Sequence, residues 1–104
     1  MRNRVLQMLG IAAKSGNVVS GEFSTEKAIK TGRACLVIVS EEASDNTKKM
    51  FGNMVEFYGA PMYVFGTKDE LGRCIGKEFR ASLAIIDENL AKAVETKLEL
   101  CKTE

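Results

Sequence analysis

Two short segments of this 104-residue chain hold residue types suited to gripping a phosphate backbone and packing against bases. The first is Ser20-Gly21-Glu22-Phe23-Ser24-Thr25-Glu26-Lys27, at the expected start of a helix. Backbone N–H groups at a helix start have no partner inside the helix and can hold an anion. Gly21 lets a backbone come close. Thr25 can donate to a phosphate or a ribose, and Lys27 lies within a turn of that end. Lys30 follows three residues later on the same side of the helix. The bland reading of this segment is a cap followed by a solvated helix face. The second segment is Leu71-Gly72-Arg73-Cys74-Ile75-Gly76-Lys77-Glu78-Phe79-Arg80. Gly76 breaks a short helix, leaving Lys77, Phe79 and Arg80 ahead of a strand. The cations can pair with phosphate. Arg80 offers a bidentate fork or a stacking plane. Phe79 either packs against an exposed base or plugs the core. Lys14, at the end of the first helix, extends the basic side.

Other chemistries are poorly supplied. The chain has no histidine, and its three cysteines, Cys35, Cys74 and Cys101, form no CxxC pair. A common zinc site and a base-activated thiol both lack ligands or partners. No GxGxxG or GxxxxGK[ST] motif is present. The run Gly72 to Lys77 shares part of the latter spacing, but Glu78 stands where Ser or Thr is required. Glu41, Glu42 and Asp87 lie at strand ends and could form a carboxylate cluster for Mg²⁺. They read more simply as caps or solvated charges, as do Ser40, Ser44 and Thr47. An enzyme is therefore not expected, and neither a cofactor nor a metal is expected.

The charges needed for an anion-binding face are unevenly spread. Residues 1–33 carry six basic and two acidic side chains, and residues 34–104 carry nine and twelve, so the formal net charge of +1 can hide a basic face. A composition 45% hydrophobic and 28% charged, with one proline, indicates a packed globule rather than a disordered chain. No stretch approaches the ~20 apolar residues that span a bilayer. The basic start at Met1-Arg2-Asn3-Arg4 is interrupted too soon to serve as a signal peptide. The cytoplasm is the expected location.

The elements that must position these segments alternate. Val5, Leu6, Leu9, Ala12 and Ala13 form a helical stripe ending at Gly16. Val18-Val19 is a very short strand, and a helix follows from Phe23 to Thr31. Leu36-Val37-Ile38-Val39 is a continuous apolar run, as in a strand covered on both faces. Ser44 or Asp45 caps a helix through Met50, Met54 and Phe57, stopped by Gly59 and Pro61. Met62 to Phe65 is a strand. Thr67 and Glu70 are spaced for a capping box, opening a helix to about Ile75. Leu83 to Ile86 is the last strand, and Asp87 caps a final helix through Leu90, Ala91 and Val94. This order predicts α/β architecture with helices on both faces of a sheet. Residues 1–97 make a single domain, and residues 98–104 are expected to fray for want of a cap.

The sequence resembles the kink-turn RNA-binding family of archaeal and eukaryotic-type ribosomal proteins, and within it the small bacterial YlxQ-like subgroup. The matching landmarks are Gly10-Ile11-Ala12-Ala13-Lys14-Ser15-Gly16, Val19-Ser20-Gly21, Lys27-Ala28-Ile29-Lys30-Thr31-Gly32 and Leu36 through Ser44. They continue with Asn46-Thr47-Lys48-Lys49, Pro61 and Lys68 through Lys77, in order over about residues 4–95. The resemblance implies a three-layer α/β/α sandwich with a mixed four-stranded sheet. It also implies noncatalytic binding of structured RNA, such as a kink-turn or another bent element, with ribosomal RNA among the candidate partners. The family's first-site motif reads Gly-x-Asn-Glu-x-x-Lys. Gly21 and Lys27 match it, whereas Phe23 and Ser24 occupy its Asn and Glu positions. Asn and Glu can read guanine edges in tandem G·A pairs; Phe23 can only stack or be buried, and Ser24 is shorter. The alternative function on the same fold is a protein–protein adaptor anchored by Phe23 and Phe79.

Overall fold

The computed structural model describes residues 2–102. Five helices and four strands alternate: α1 (Arg2–Lys14), β1 (Val18–Ser20), α2 (Glu22–Lys30), β2 (Leu36–Val39), α3 (Asp45–Tyr58), β3 (Met62–Val64), α4 (Lys68–Cys74), β4 (Ser82–Ile85) and α5 (Glu88–Lys102). The strands lie in the order β1-β4-β2-β3. β2 and β3 are parallel, while β4 runs antiparallel to both β1 and β2, so the sheet is mixed.

Period-two alternation divides the two central strands between two cores. Leu36, Ile38, Leu83 and Ile85 face one side and pack with Val5 and Leu9 of α1, Leu71 of α4, and Val94 and Leu98 of α5. Val37, Val39 and Ala84 face the other and pack with Ala28 and Ile29 of α2 and Phe51 and Val55 of α3. The three-layer α/β/α sandwich follows from that partition. All four residues of β2 are fully buried, which explains why its sequence is apolar without alternation.

The caps read from the sequence form. Ser44 accepts from the Thr47 N–H, Thr67 and Glu70 make the capping box, and Asp87 accepts from the Leu90 N–H at 2.9 Å. α5 does not fray after Lys97. It runs through Lys102, because Leu98 is buried against the sheet and the Tyr63 hydroxyl donates to Glu99, with the Glu95 carboxylate 3.2 Å away. The last two residues of the expected tail, 103–104, lie outside the described ones. No described helix is long and apolar enough to cross a membrane.

Candidate nucleic-acid interface

β1 delivers the chain to Gly21, whose φ of +90° a residue with a side chain rarely adopts. The Gly21 N–H donates to the Ser82 carbonyl at 3.0 Å, locking the turn to β4. The Gly21 carbonyl accepts the first helical bond, from Thr25 N–H at 3.0 Å. Glycine has no side chain with which to cap α2, so the first N–H groups of the helix are left for an external acceptor. Space is open where a Cβ would stand on Gly21.

The second segment is held by a close approach of backbone to helix. A Cβ on Gly72 would lie 1.3 Å from the Glu78 carbonyl oxygen, so only glycine lets the loop rest on α4 here. Lys77 N–H donates to the Gly72 carbonyl at 2.8 Å, and Arg80 N–H to the Lys68 carbonyl at 3.1 Å. Both ends of the loop are thereby fastened to one short helix.

Arg80 joins the two segments. Its Nε donates to Ser20 Oγ at 3.1 Å, across 60 positions of sequence, and its Nη1 donates to the Phe79 carbonyl at 2.8 Å. Those bonds use two of the five guanidinium donors. The helix start and the cationic loop therefore form one continuous surface.

Around this junction Lys27, Lys30 and Lys77 are exposed, Ser24 is half-buried, and Phe23 and Phe79 are 77% and 68% exposed. Phe79 does not plug the core. Lys14 is exposed beside Arg73, Ile75 and Gly76, so the end of α1 borders the start of the loop. Glu26 pairs with Lys30 at 3.0 Å and holds its ammonium above the ordinary lysine range. Glu22 and Glu78 are also exposed, so acids are interspersed among five cations: Lys14, Lys27, Lys30, Lys77 and Arg80.

Thr25 is a correction to the reading of the sequence. It is fully buried, its hydroxyl 3.4 Å from that of Ser82, and it cannot reach a surface ligand. The fourth residue of α2 turns inward between the helix and β4, a direction that the hydroxyl alone did not reveal. Ser20 and Gly72 stand within the two segments singled out in the sequence, but neither had a role there. A glycine at the fifth position of a capped helix is the signal that could have found Gly72. Nothing in the sequence marks Ser20 as the partner of Arg80.

The carboxylates weighed for catalysis serve the scaffold. Glu42 accepts from the Lys68 N–H at 2.8 Å, Glu41 lies 3.8 Å from Arg2, and Asp87 caps α5. Ser40 donates to the Gly66 carbonyl at 2.9 Å, and Ser44 caps α3. Among the described residues no cluster of three His, Cys, Asp or Glu side chains could hold a metal ion. Cys74 is partly buried, and desolvation pushes its thiol up to about 11, away from nucleophilic character.

Comparison with known proteins agrees with this geometry. The chain is 37% identical to the RNA-binding protein YlxQ of Bacillus subtilis over 92 residues, covering 88% of this chain and 92% of that one. It is 39% identical to the large ribosomal subunit protein eL30 of Neurospora crassa over 85 residues, 76% of this chain and 74% of that one. A solved structure of a Bacillus halodurans protein of unknown function matches with a TM-score of 0.88 and 32% identity, covering 91% of this chain and 96% of the other. The Giardia lamblia 15.5kD RNA binding protein shares the fold, with a TM-score of 0.78 at 22% identity, over 91% of this chain and 84% of that one. The profile of the ribosomal protein L7Ae/L30e/S12e/Gadd45 family matches residues 3–95, and the chain belongs to that family.

Proposed function

We propose that this protein binds structured RNA without catalysing a reaction, and that its target is a kink-turn or a similarly bent element, with ribosomal RNA as a candidate. The observation that carries the reading is the Arg80–Ser20 hydrogen bond, which makes one surface of an uncapped helix start and a cationic loop. Phosphates are held at the N-terminus of α2 and by Lys14, Lys27, Lys30, Lys77 and Arg80. Phe23 and Phe79 lie against bases, and Ser24 makes a short polar contact. This assignment supports treating residues 1–97 as the RNA-binding unit, with the end of α5 as its buttress. It also fits a cytoplasmic protein, which cell fractionation would check. The relatives named for RNA binding and for the large ribosomal subunit point the same way.

A binding titration decides the matter. The protein should prefer a kink-turn RNA to a straight duplex of equal length. Its affinity should fall with salt, each phosphate contact contributing about 0.7–0.9 to the slope of log K on log salt. Lys27→Ala with Arg80→Ala removes two contacts, so binding should weaken and the slope flatten by about 1.5. Equal affinity for both RNAs, with an unchanged slope in the double variant, would sink the proposed surface.

A further inference from the structure

Beyond Lys14, the outward side of α1 carries a groove to which RNA binding gives no role. Gly10 brings α1 close to α4: a Cβ there would lie 2.9 Å from the Cys74 carbonyl oxygen. Two helices in such contact leave a furrow along their seam. This one encloses about 430 Å³ and is lined by Leu6, Gln7, Gly10, Ile11, Lys14 and Cys74. It shares Gly10, Lys14 and Cys74 with a second hollow of about 280 Å³, to which Ala13, Arg73 and Ile75 contribute. Ile11 is 61% exposed, the most exposed large aliphatic side chain among the described residues.

The chemistry of the groove selects its occupant. Its floor is aliphatic apart from the Cys74 thiol and holds no ring, so a nucleic-acid strand would find no stacking platform. An aliphatic floor between two helices suits the apolar stripe of a third. Leu6 to Lys14 covers about 12 Å of helix axis, room for two turns of a partner helix. The charged residues lining the two hollows are Lys14 and Arg73, and no acid lines either. Among the described residues Lys14 has no ion-pair partner. Arg73 meets Asp69 at 3.2 Å in an exposed i,i+4 pair, a weak contact that a stronger acceptor can replace. The rim therefore calls for carboxylates. The large hydrophobics that this chain exposes elsewhere are four rings and single aliphatics on β3 and α5, Val64 and Leu100, so a second copy cannot supply the stripe.

We propose that the α1–α4 groove docks an acidic amphipathic helix of another protein. Aliphatic side chains at i, i+4 and i+7 of that helix lie on the groove floor beside Ile11, and flanking Asp or Glu residues meet Lys14 and Arg73. The docking does not depend on the RNA reading, although Lys14 borders both surfaces.

The test uses the full chain and a synthetic helix of about 15 residues, long enough to fold, with Leu along one face and Glu flanking it. A twin with Lys in place of each Glu is the control. The Glu helix should shift the amide resonances of α1 and α4 around Ile11 and Cys74, and the Lys twin should not. Ile11→Ser should weaken binding about tenfold, as loss of a central anchor does. Arg73→Gln should weaken it several-fold; both side chains are exposed, so the fold is kept. Equal binding of the twins, no shift at all, or shifts centred on α2 and the loop at residues 77–80 would overturn the proposal. Kink-turn affinity should be unchanged in Ile11→Ser with Arg73→Gln; a loss would mean that RNA fills the groove. A dimer of the full chain in sedimentation that Ile11→Ser dissolves would make the occupant a second copy and overturn the proposal too.

Discussion

Two side chains separate this site from its family's motif, and their exposure decides what they can do. Phe23 is 77% exposed at the second position of α2, where it offers a ring face and no hydrogen bond. Ser24 follows with one short hydroxyl. Neither can read a guanine edge as the Asn and Glu of the motif can. The parts proposed to hold phosphate are present: a helix start uncapped by any side chain, Lys27, and Arg80 fixed by Ser20. Affinity and sequence discrimination should therefore separate, because phosphate contacts position while base contacts specify. Phe23→Asn with Ser24→Glu should raise the preference for tandem G·A pairs over G·C pairs at the same bend by about tenfold, the size of one well-placed hydrogen bond. Competition between the two RNAs measures this ratio. A preference equally strong in the original protein would mean that another residue reads the pairs.

At the scale of elements, α4 does more than connect strands. It is seven residues long, yet it supports the cationic loop through Gly72 and ties to α1 through Glu70. Gly72→Ala would place a methyl group 1.3 Å from the Glu78 carbonyl oxygen, so the loop must move. Overpacking of this kind costs about 1–3 kcal/mol. The displaced loop would also carry Arg80 away from Ser20. Thermal unfolding should report the first effect and RNA titration the second; normal affinity in Gly72→Ala would show that the loop does not contact RNA. Glu70 closes the capping box and accepts from Arg2 Nε at 3.2 Å. Hydrogen bonding from Arg2, then from the Thr67 N–H, holds its carboxyl below the ordinary range. A carboxylate whose pKa is lower folded than unfolded adds stability that is complete above the unfolded value, about 4.3, and is lost as pH falls through the folded one. Glu70→Gln keeps an acceptor but cannot ionise, so its stability should fall less steeply between about pH 5 and pH 3. Identical acid-side slopes in denaturant melts would remove this link. The capping box was legible in the sequence because its signal is local, four residues long. The Gly72–Glu78 approach was not, because it depends on how the loop folds back.

Across the whole molecule the same distinction between local and distant signals holds. The sheet was readable from Leu36 to Val39, where burial on both faces leaves only apolar residues. The two segments of the proposed surface were readable by composition, but their meeting depends on Arg80 reaching Ser20 across the fold. The end of α5 was misread because Glu95, Thr96 and Lys97 are polar and no cap follows. The helix is held there by tertiary contacts. Ala91, Val94 and Leu98 share one stripe against the sheet and α1. The Lys102 ammonium sits 4.7 Å from the Tyr63 ring centroid, and Glu99 bridges the Lys102 ammonium and the Tyr63 hydroxyl. Leu98 is 3% exposed, so Leu98→Ala should cost about 2–5 kcal/mol. For a domain of this size that lowers Tm by roughly 10 °C or more. A chain ending at Lys97 should lose at least as much, since it forfeits the Tyr63 contacts as well. Below their lowered melting points both proteins should bind RNA normally, because α5 contributes no residue to the proposed surface. Calorimetry on the shortened chain is the sharper measurement: a Tm within about 2 °C of the full protein's would mean that the last turns of α5 contribute nothing to the fold.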